Sequence, residues 1–256
     1  MQIWEAILLG IIQGLTEFLP VSSSGHLVIF QDLLGVAQSG VTFEVAVHVG
    51  TALAVAFYFR NHLWQILKNL RLLSLLVVAS IPAAVLGIFA EDFLTGLFSQ
   101  TLVVGVALLF TGGILWYAEK KTRQDASSKN FPELSYADAF FIGFGQALAI
   151  VPGISRSGST ISAGLFRDVR RETAAEFSFL MSVPVILGAA LLELPNLEAA
   201  SAGLSLGPVV VGTVFSFLSG LFAIYFLLAV IRRYSLTYFS YYTWFLGAIV
   251  ILLNLL

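Results

Sequence analysis

The chain has 256 residues, of which 58% are hydrophobic and only 11% are charged, and its mean hydropathy is +0.93. This composition excludes a water-soluble globular domain, whose surface must carry many more polar residues. The net charge of -2 argues against a nucleic-acid partner, and the absence of cysteine excludes disulfides, thiolate nucleophiles and cysteine-ligated metals.

Long uncharged stretches predict helices that cross a bilayer, because a spanning helix needs roughly 20 apolar residues. Basic residues mark cytoplasmic ends, and every lysine and arginine except Arg156 falls into one of four clusters, at residues 60–71, 120–129, 167–171 and 232–233. Placing all four clusters in the cytoplasm predicts six transmembrane helices. They lie near residues 42–59, 72–90, 102–118, 177–195, 206–231 and 236–256.

Two further apolar stretches, residues 3–36 and 136–166, must each enter and leave on one side of the membrane for this charge pattern to hold. In the first, the uncharged segment from Ala6 to Thr16 is followed by Glu17, Pro20 and a serine-rich run, which indicates two half-helices joined by a break. Irregular backbone at membrane depth survives only where it lines a protein cavity. We therefore predict two re-entrant helix hairpins.

The two hairpin stretches match each other at a constant offset of 133 positions. The matched pairs are Gly10 and Gly143, Gln13 and Gln146, Ser22 and Ser155, Ser24 and Ser157, and Gly25 and Gly158. Each half then has one re-entrant hairpin and three transmembrane helices. Because three crossings move the chain to the other side of the membrane, the second half starts on the opposite side and has the inverted orientation. The sequence predicts an all-α polytopic membrane protein with an inverted-topology repeat, made of residues 1–118, a cytoplasmic linker at 119–135, and residues 136–256. In such folds broken helices meet near the midplane and direct their N-termini at an anionic group.

Polar residues inside apolar segments are costly and mark candidate functional positions. Here they are Gln13, Glu17, Ser22, Ser23, Ser24, His26, Glu44, His48, Gln146, Ser155, Arg156, Ser157, Ser159 and Thr160. Hydroxyls, imidazole, carboxylate and guanidinium together suit phosphoryl transfer, in which a hydroxyl or imidazole attacks phosphorus, a base takes a proton and fixed donors hold the phosphate oxygens. Arg156 suits the last role because its planar fork can bind two phosphate oxygens at once.

Two segments resemble the motifs of the undecaprenyl pyrophosphate phosphatase family, the bacitracin-resistance proteins of bacteria. They are Gln13-Gly-Leu-Thr-Glu17-Phe-Leu-Pro20-Val-Ser22-Ser-Ser24-Gly25-His26 and Pro152-Gly-Ile-Ser155-Arg156-Ser157-Gly158-Ser-Thr160. The resemblance runs through essentially the whole chain. It implies hydrolysis of undecaprenyl pyrophosphate to undecaprenyl phosphate and inorganic phosphate, which recycles the lipid carrier for cell-wall synthesis and confers bacitracin resistance. It also implies a place in the bacterial cytoplasmic (inner) membrane and an active site open to its outer face.

The resemblance puts Glu17, Ser23, His26 and Arg156 at positions that the family treats as catalytic. Ser23 is the favoured nucleophile, with His26 as its base one helical turn away. In the alternative, His26 attacks phosphorus and Glu17 orients it.

The remaining site predictions concern phosphate and metal binding. We expect the phosphates to be bound by Gln13, Ser22, Ser24, Gly25, Ser155, Ser157, Gly158 and Thr160. The resemblance also implies a divalent cation, Mg²⁺ or Ca²⁺, for which Glu17 is the candidate ligand because these ions prefer oxygen donors. The family often has glutamate where this chain has Gln13.

A second function stays open, since inverted repeats with broken helices are also typical of transporters. The chain would then flip the lipid carrier or move a small anion. The serine and histidine favour the enzyme, because a translocation site needs donors but no nucleophile. The expected partners are a polyprenyl pyrophosphate and membrane lipids, and the sequence leaves a homodimer open.

Overall fold

The computed structural model describes residues 1–36, 40–89, 97, 100–122, 128–200 and 206–255. Within these residues the chain forms eleven α-helices, one 3₁₀ turn at Phe131–Glu133 and one isolated β-bridge between Lys129 and Val169. The helices are α1 (Ile3–Phe18), α2 (Ser23–Leu34), α3 (Gly40–Tyr58), α4 (Arg60–Leu67), α5 (Leu70–Phe89), α6 (Thr101–Lys121), α7 (Tyr136–Leu148), α8 (Arg156–Phe166), α9 (Arg171–Ala200), α10 (Leu206–Ile231) and α11 (Thr237–Leu255).

Five helices are long and apolar enough to cross a membrane: α5, α6, α10, α11 and the Arg171–Glu193 part of α9. A sixth span is present only if α3 and α4 count together, and these two helices meet at a bend of 81°. The predicted span near 42–59 corresponds to α3, whose Thr42–Tyr58 part is shorter than each of the other five helices. The all-helical, multi-pass character is confirmed, with five or six helices of spanning length among the described residues.

Both predicted hairpin stretches contain a break between two half-helices, and both breaks end in the same cap. The side chain of Ser22 accepts a hydrogen bond from the Gly25 amide at the start of α2 (3.2 Å), and Ser155 accepts one from the Gly158 amide at the start of α8 (3.0 Å). Serine is favoured at this position because its oxygen satisfies an amide that has no partner inside the helix. Ser22 has φ 71°, so the chain turns sharply there.

The two hairpins also pack in equivalent ways. Gly10 of α1 lies against the backbone of Gly212 in α10, and Gly143 of α7 lies against the backbone of Ala79 in α5, so that a side chain at either glycine would collide with a carbonyl group. The offset of 133 positions that relates the two glycines also relates Ala79 to Gly212. Small residues let helices approach closely in a membrane, and this chain uses the same close contact twice.

The buried core lies beneath the two breaks. Phe18, at the end of α1, packs edge-on against Phe179 of α9 with ring centroids 5.1 Å apart, and both rings are fully buried. The contact fixes the first break against a helix from the second half of the chain.

Near the basic clusters, a buried carboxylate ties residues of the predicted linker to the second hairpin. Asp138 accepts hydrogen bonds from Lys129 Nζ at 3.0 and 3.1 Å and from Arg167 Nε at 2.9 Å. Burial raises the pKa of Asp138, but hydrogen bonds from Ser135, Lys129 and Arg167 outweigh it and lower the pKa to about 2. Lys129 and Arg167 are therefore structural partners of Asp138.

Candidate active site

The two breaks meet at the centre of the molecule. Ser157 Oγ donates to the Leu19 carbonyl across the interface at 2.9 Å. Arg156 Nη2 donates to Glu17 Oε1 at 2.5 Å. The end of α1 and the start of α8 are thus joined by one hydrogen bond and one ion pair.

Glu17 is the centre of this arrangement and is only 7% exposed. One carboxylate oxygen accepts from Arg156, while the other, Oε2, accepts from Ser23 Oγ at 2.6 Å and from Gln13 Nε2 at 2.9 Å. His48 Nε2 lies 3.8 Å from the same Oε2. Because an ionised carboxylate can only accept, the Ser23 hydroxyl must point its proton at Glu17. This is the contact that a general base makes with a nucleophile.

Arg156 is the first residue of α8, and a helix N-terminus favours anions. Its Nη1 donates to the Ser178 carbonyl at 3.0 Å and its Nη2 to Glu17, so these contacts use two of its five donors. The guanidinium also borders the cavity described below. It is therefore fixed in place while it keeps donors for an anionic ligand.

His26 bonds through both ring nitrogens to groups other than Ser23, so the structure does not show the expected pairing of this serine with a histidine base. Its Nδ1 lies 2.7 Å from the Ser22 carbonyl oxygen and its Nε2 lies 2.7 Å from the Tyr242 hydroxyl. The His26 and Tyr242 rings are also stacked, with centroids 5.7 Å apart. The reason is local: side chains in a helix lean towards its N-terminus, so Ser23, the first residue of α2, reaches back to Glu17, while His26 reaches the Ser22 carbonyl.

Most of the predicted phosphate-binding residues instead build the two helix starts. Ser22 contacts Ser24 at 3.3 Å, and Ser155 contacts Ser157 at 3.2 Å. Thr160 bonds to the Arg156 carbonyl and to Ser178. Among the described residues that border the cavity, Ser24 is the one member of this predicted set. The others, which are Gln13, Ser22, Gly25, Ser155, Ser157, Gly158 and Thr160, do not border it.

Two positions were missed by sequence reasoning. Thr111 of α6 donates to the Gly153 carbonyl and accepts from the Ser155 amide, both at 3.0 Å, so it holds the second break. Tyr242 of α11 holds the His26 ring, because its hydroxyl lies 2.7 Å from His26 Nε2. Neither residue stands near its partner in the sequence, and no local pattern could have found it.

A cavity of about 800 Å³ opens at the meeting point of the breaks. Its polar residues include Glu17, Ser23, Glu44, His48 and Arg156. Its other walls are mainly hydrocarbon and come from α5 and α9. The site therefore combines a small polar end with a large apolar extension, as an amphiphilic ligand requires.

The donor atoms at this end allow a direct test of the expected divalent cation. No group of three or more His, Cys, Asp or Glu side chains suited to a metal occurs in the part of the chain that the structure describes. However, Gln13 Oε1 is buried with no hydrogen-bond partner among those residues, and it belongs to the amide that bonds to Glu17. Mg²⁺ is commonly held by one or two protein oxygens together with substrate phosphates. Glu17, which borders the cavity, therefore fits a cation shared with the substrate, whereas Gln13 does not border the cavity and acts through its bond to Glu17.

Comparison with known proteins shows the family of the chain. Residues 6–249 match the family model described as bacitracin resistance protein BacA. The undecaprenyl-diphosphatase of Carboxydothermus hydrogenoformans is 44% identical over 99% of this chain and 98% of its own length. That of Alkaliphilus metalliredigens is 43% identical over the full length of both chains, and that of Halothermothrix orenii is 46% identical over 99% of this chain and 98% of its own. The chain belongs to the BacA family of bacitracin resistance proteins.

Proposed function

We propose that this protein is an undecaprenyl-diphosphatase, which hydrolyses undecaprenyl pyrophosphate to undecaprenyl phosphate and inorganic phosphate. The observation that carries the proposal is the 2.6 Å contact from Ser23 Oγ to Glu17 Oε2, beside Arg156 and inside a largely apolar cavity. The relatives named undecaprenyl-diphosphatase support the same substrate. The reaction recycles a lipid carrier for cell-wall synthesis, and the family description connects it with bacitracin resistance.

In the first step Ser23 Oγ attacks the terminal phosphorus. The bond from this phosphorus to the bridging oxygen breaks, undecaprenyl phosphate leaves, and the serine proton passes through Glu17 to the leaving phosphate. In the second step a water oxygen attacks the phosphoserine, and the bond from phosphorus to Ser23 Oγ breaks. Glu17 takes the water proton and returns a proton to Ser23, so the enzyme is regenerated.

Arg156 stabilises the charge on the phosphate oxygens in both steps. The bonds to Glu17 and Ser178 already fix the orientation of its guanidinium group, so the remaining donors need little reorganisation when negative charge develops on the phosphate oxygens. His26 acts as a positioning residue in this mechanism, because both of its ring nitrogens bond to groups other than Ser23. Ser23 is therefore the better nucleophile of the two candidates.

Glu17, which borders the cavity, is the residue that would hold a divalent cation, Mg²⁺ or Ca²⁺, together with the substrate phosphates. When bound, such an ion would supply neutralisation of the pyrophosphate charge. Gln13 would support Glu17 from behind, because its Nε2 donates to Glu17 Oε2 at 2.9 Å.

The proposal includes an inverted-topology repeat, with residues 1–118 and 136–256 as its halves and residues 119–135 as the linker. Support comes from the repeated serine caps and from the equivalent glycine contacts. The helix directions agree: α1 runs parallel to α10, which ends at Arg232, whereas α7 runs parallel to α5, which starts beside Arg71. The two hairpins would thus enter the membrane from opposite faces.

We place the protein in the bacterial cytoplasmic membrane with its cavity open to the outer face. The cavity walls use residues 80–88 of α5 and 182–192 of α9. Both stretches lie in the halves of these helices that are far from Arg71 and Arg171. If basic residues mark the cytoplasmic side, the cavity opens on the opposite side.

Phosphate release from undecaprenyl pyrophosphate by purified protein in detergent tests the enzyme. Ser23→Ala should lower kcat by more than about 10³-fold, as expected for loss of a nucleophile. Ser80→Ala is the matched control, because Ser80 also borders the cavity but bonds, among the described residues, to the Leu76 carbonyl of its own helix alone.

A lipid or anion transporter would release no phosphate in detergent, where there are no compartments to transport between. Absence of release from the wild type would therefore reject the phosphatase. Wild-type kcat in Ser23→Ala would reject the serine nucleophile while leaving the enzyme in place.

A further inference from the structure

The cavity extends from the polar site along a passage between α5 and α9. Its walls there include Ala83, Gly87 and Ile88 of α5 and Val185, Gly188 and Leu191 of α9. We call this passage the α5–α9 groove. It is continuous with the space that borders Glu17, Ser23 and Arg156, so a ligand bound at the polar end can extend into it.

Two glycines keep the groove wide. A Cβ atom added at Gly87 or at Gly188 would have no heavy-atom neighbour within 4 Å in the part of the chain that the structure describes. This is the opposite of Gly10 and Gly143, which are pressed against neighbouring backbone. Glycine in membrane helices normally serves close helix packing, but Gly87 and Gly188 make no such contact. Their missing side chains leave open space beside the groove.

The chemistry of the groove identifies its occupant. When the terminal phosphate of a lipid pyrophosphate lies at Arg156 and Ser23, its hydrocarbon tail must extend along the cavity. The walls of the groove are mainly hydrocarbon and can contact this tail. A cavity of about 800 Å³ has the size of a small-molecule site. It can therefore hold the headgroup and the first isoprene units, while the rest of a long tail lies among the membrane lipids. The methyl branches of an isoprenoid need a wider passage than a straight acyl chain does.

We propose that Gly87 and Gly188 determine specificity for the substrate tail, because the space beside them admits the first methyl-branched isoprene units next to the pyrophosphate. The inference rests on the proposed function and adds the path of the tail to it. Neither glycine touches the reacting atoms, so both should control the contribution of the tail and leave the phosphate chemistry unchanged.

The experiment compares Gly87→Leu and Gly188→Leu with the wild type on a prenyl pyrophosphate and on a straight-chain alkyl pyrophosphate of the same length. Leucine is a better helix former than glycine and meets no neighbouring atom at its Cβ, so the variants should fold. Gly113→Leu is the matched control, since Gly113 of α6 is also half-buried and open at its Cβ but does not border the cavity. Thermal stability in detergent is measured for all three variants.

We expect kcat/KM for the prenyl substrate to fall about tenfold or more in both groove variants, mainly through KM, as for a steric change in an apolar pocket. The value for the straight-chain substrate should stay within about twofold, and Gly113→Leu should match the wild type throughout. An equal loss on the prenyl and straight-chain substrates, or no loss on either, would overturn the groove proposal. If a phospholipid acyl chain fills the groove instead, the preference of the variants for a prenyl over a straight-chain tail will match that of the wild type. Failure of the wild type to hydrolyse any prenyl pyrophosphate would instead reject the proposed function itself.

Discussion

Removal of the Arg156 side chain should lower both the stability and the activity of the protein. A second substitution, at Glu17, should restore the stability but not the activity. The side chains of Arg156 and Glu17 are 16% and 6% exposed. Arg156→Ala therefore leaves a buried carboxylate without its cation. Loss of one partner of such a pair typically costs about 3–5 kcal/mol. At roughly 2–4 °C per kcal/mol for a chain of this size, the midpoint of thermal unfolding should fall by roughly 6–20 °C.

The double variant Arg156→Ala/Glu17→Gln removes the uncompensated charge and keeps a side chain of similar shape. Its unfolding midpoint should recover most of the loss. Phosphate release should stay abolished, because both the guanidinium and the proposed base are missing. Thermal unfolding in detergent and phosphate release on the same samples provide the two readings. An unchanged midpoint in Arg156→Ala, or a double variant less stable than Arg156→Ala, would show that the ion pair is not the stabilising contact inferred from its burial.

Three further results are expected. Tyr242→Phe keeps the ring beside His26 but loses a hydrogen bond of about 0.5–1.5 kcal/mol, so kcat should drop by roughly 2- to 12-fold at unchanged KM, and a change confined to KM would contradict a positioning role. Chelation with EDTA should reduce phosphate release, and added Mg²⁺ or Ca²⁺ should restore it. The Gln13→Leu variant should need a higher concentration of added cation than the wild type. Full activity of the wild type in EDTA would remove the cation from the proposal. The pKa of Asp138 is lowered from 3.8 to about 2 in the folded protein, so its carboxylate should stabilise the fold by about 2 kcal/mol above pH 4 and lose this contribution as the pH falls towards 2. Asp138→Asn should therefore make the free energy of unfolding less dependent on pH in this range. An acid-unfolding transition that is the same in Asp138→Asn and the wild type would contradict this role of Asp138.

The elements that local chemistry controls could be predicted from the sequence. The run around Ser22 and the run around Ser155 each contain a serine followed three residues later by glycine, and both became helix caps. Gly10 and Gly143 match at the offset of 133 positions, which indicated that they occupy equivalent positions. In the structure both glycines make equivalent close contacts with a neighbouring helix. Long uncharged stretches likewise became helices, although α9 starts at Arg171 rather than near residue 177 because the intervening residues are good helix formers.

The contacts around the candidate nucleophile could not be predicted in the same way. The spacing of Ser23 and His26 suggested a shared helix face, but that rule applies inside a helix, and Ser23 is the first residue after a break. Its true neighbour, Glu17, lies on the preceding helix, and the orientation across the break depends on the positive φ of Ser22. Tyr242 lies 216 positions from His26, so only the packed arrangement of α2 and α11 reveals their contact.

Helices from the first half of the chain pack mainly against helices from the second half, and this has a consequence for biogenesis. The main neighbour of α1 is α10, and the main neighbour of α5 is α7, so each of these helices relies on a segment synthesised later. During translation the early helices must wait in the bilayer without their final neighbours until the later ones have been inserted. A nascent chain stopped after α6 should therefore be readily degraded by membrane proteases, and supplying the remaining segment as a separate polypeptide should rescue it.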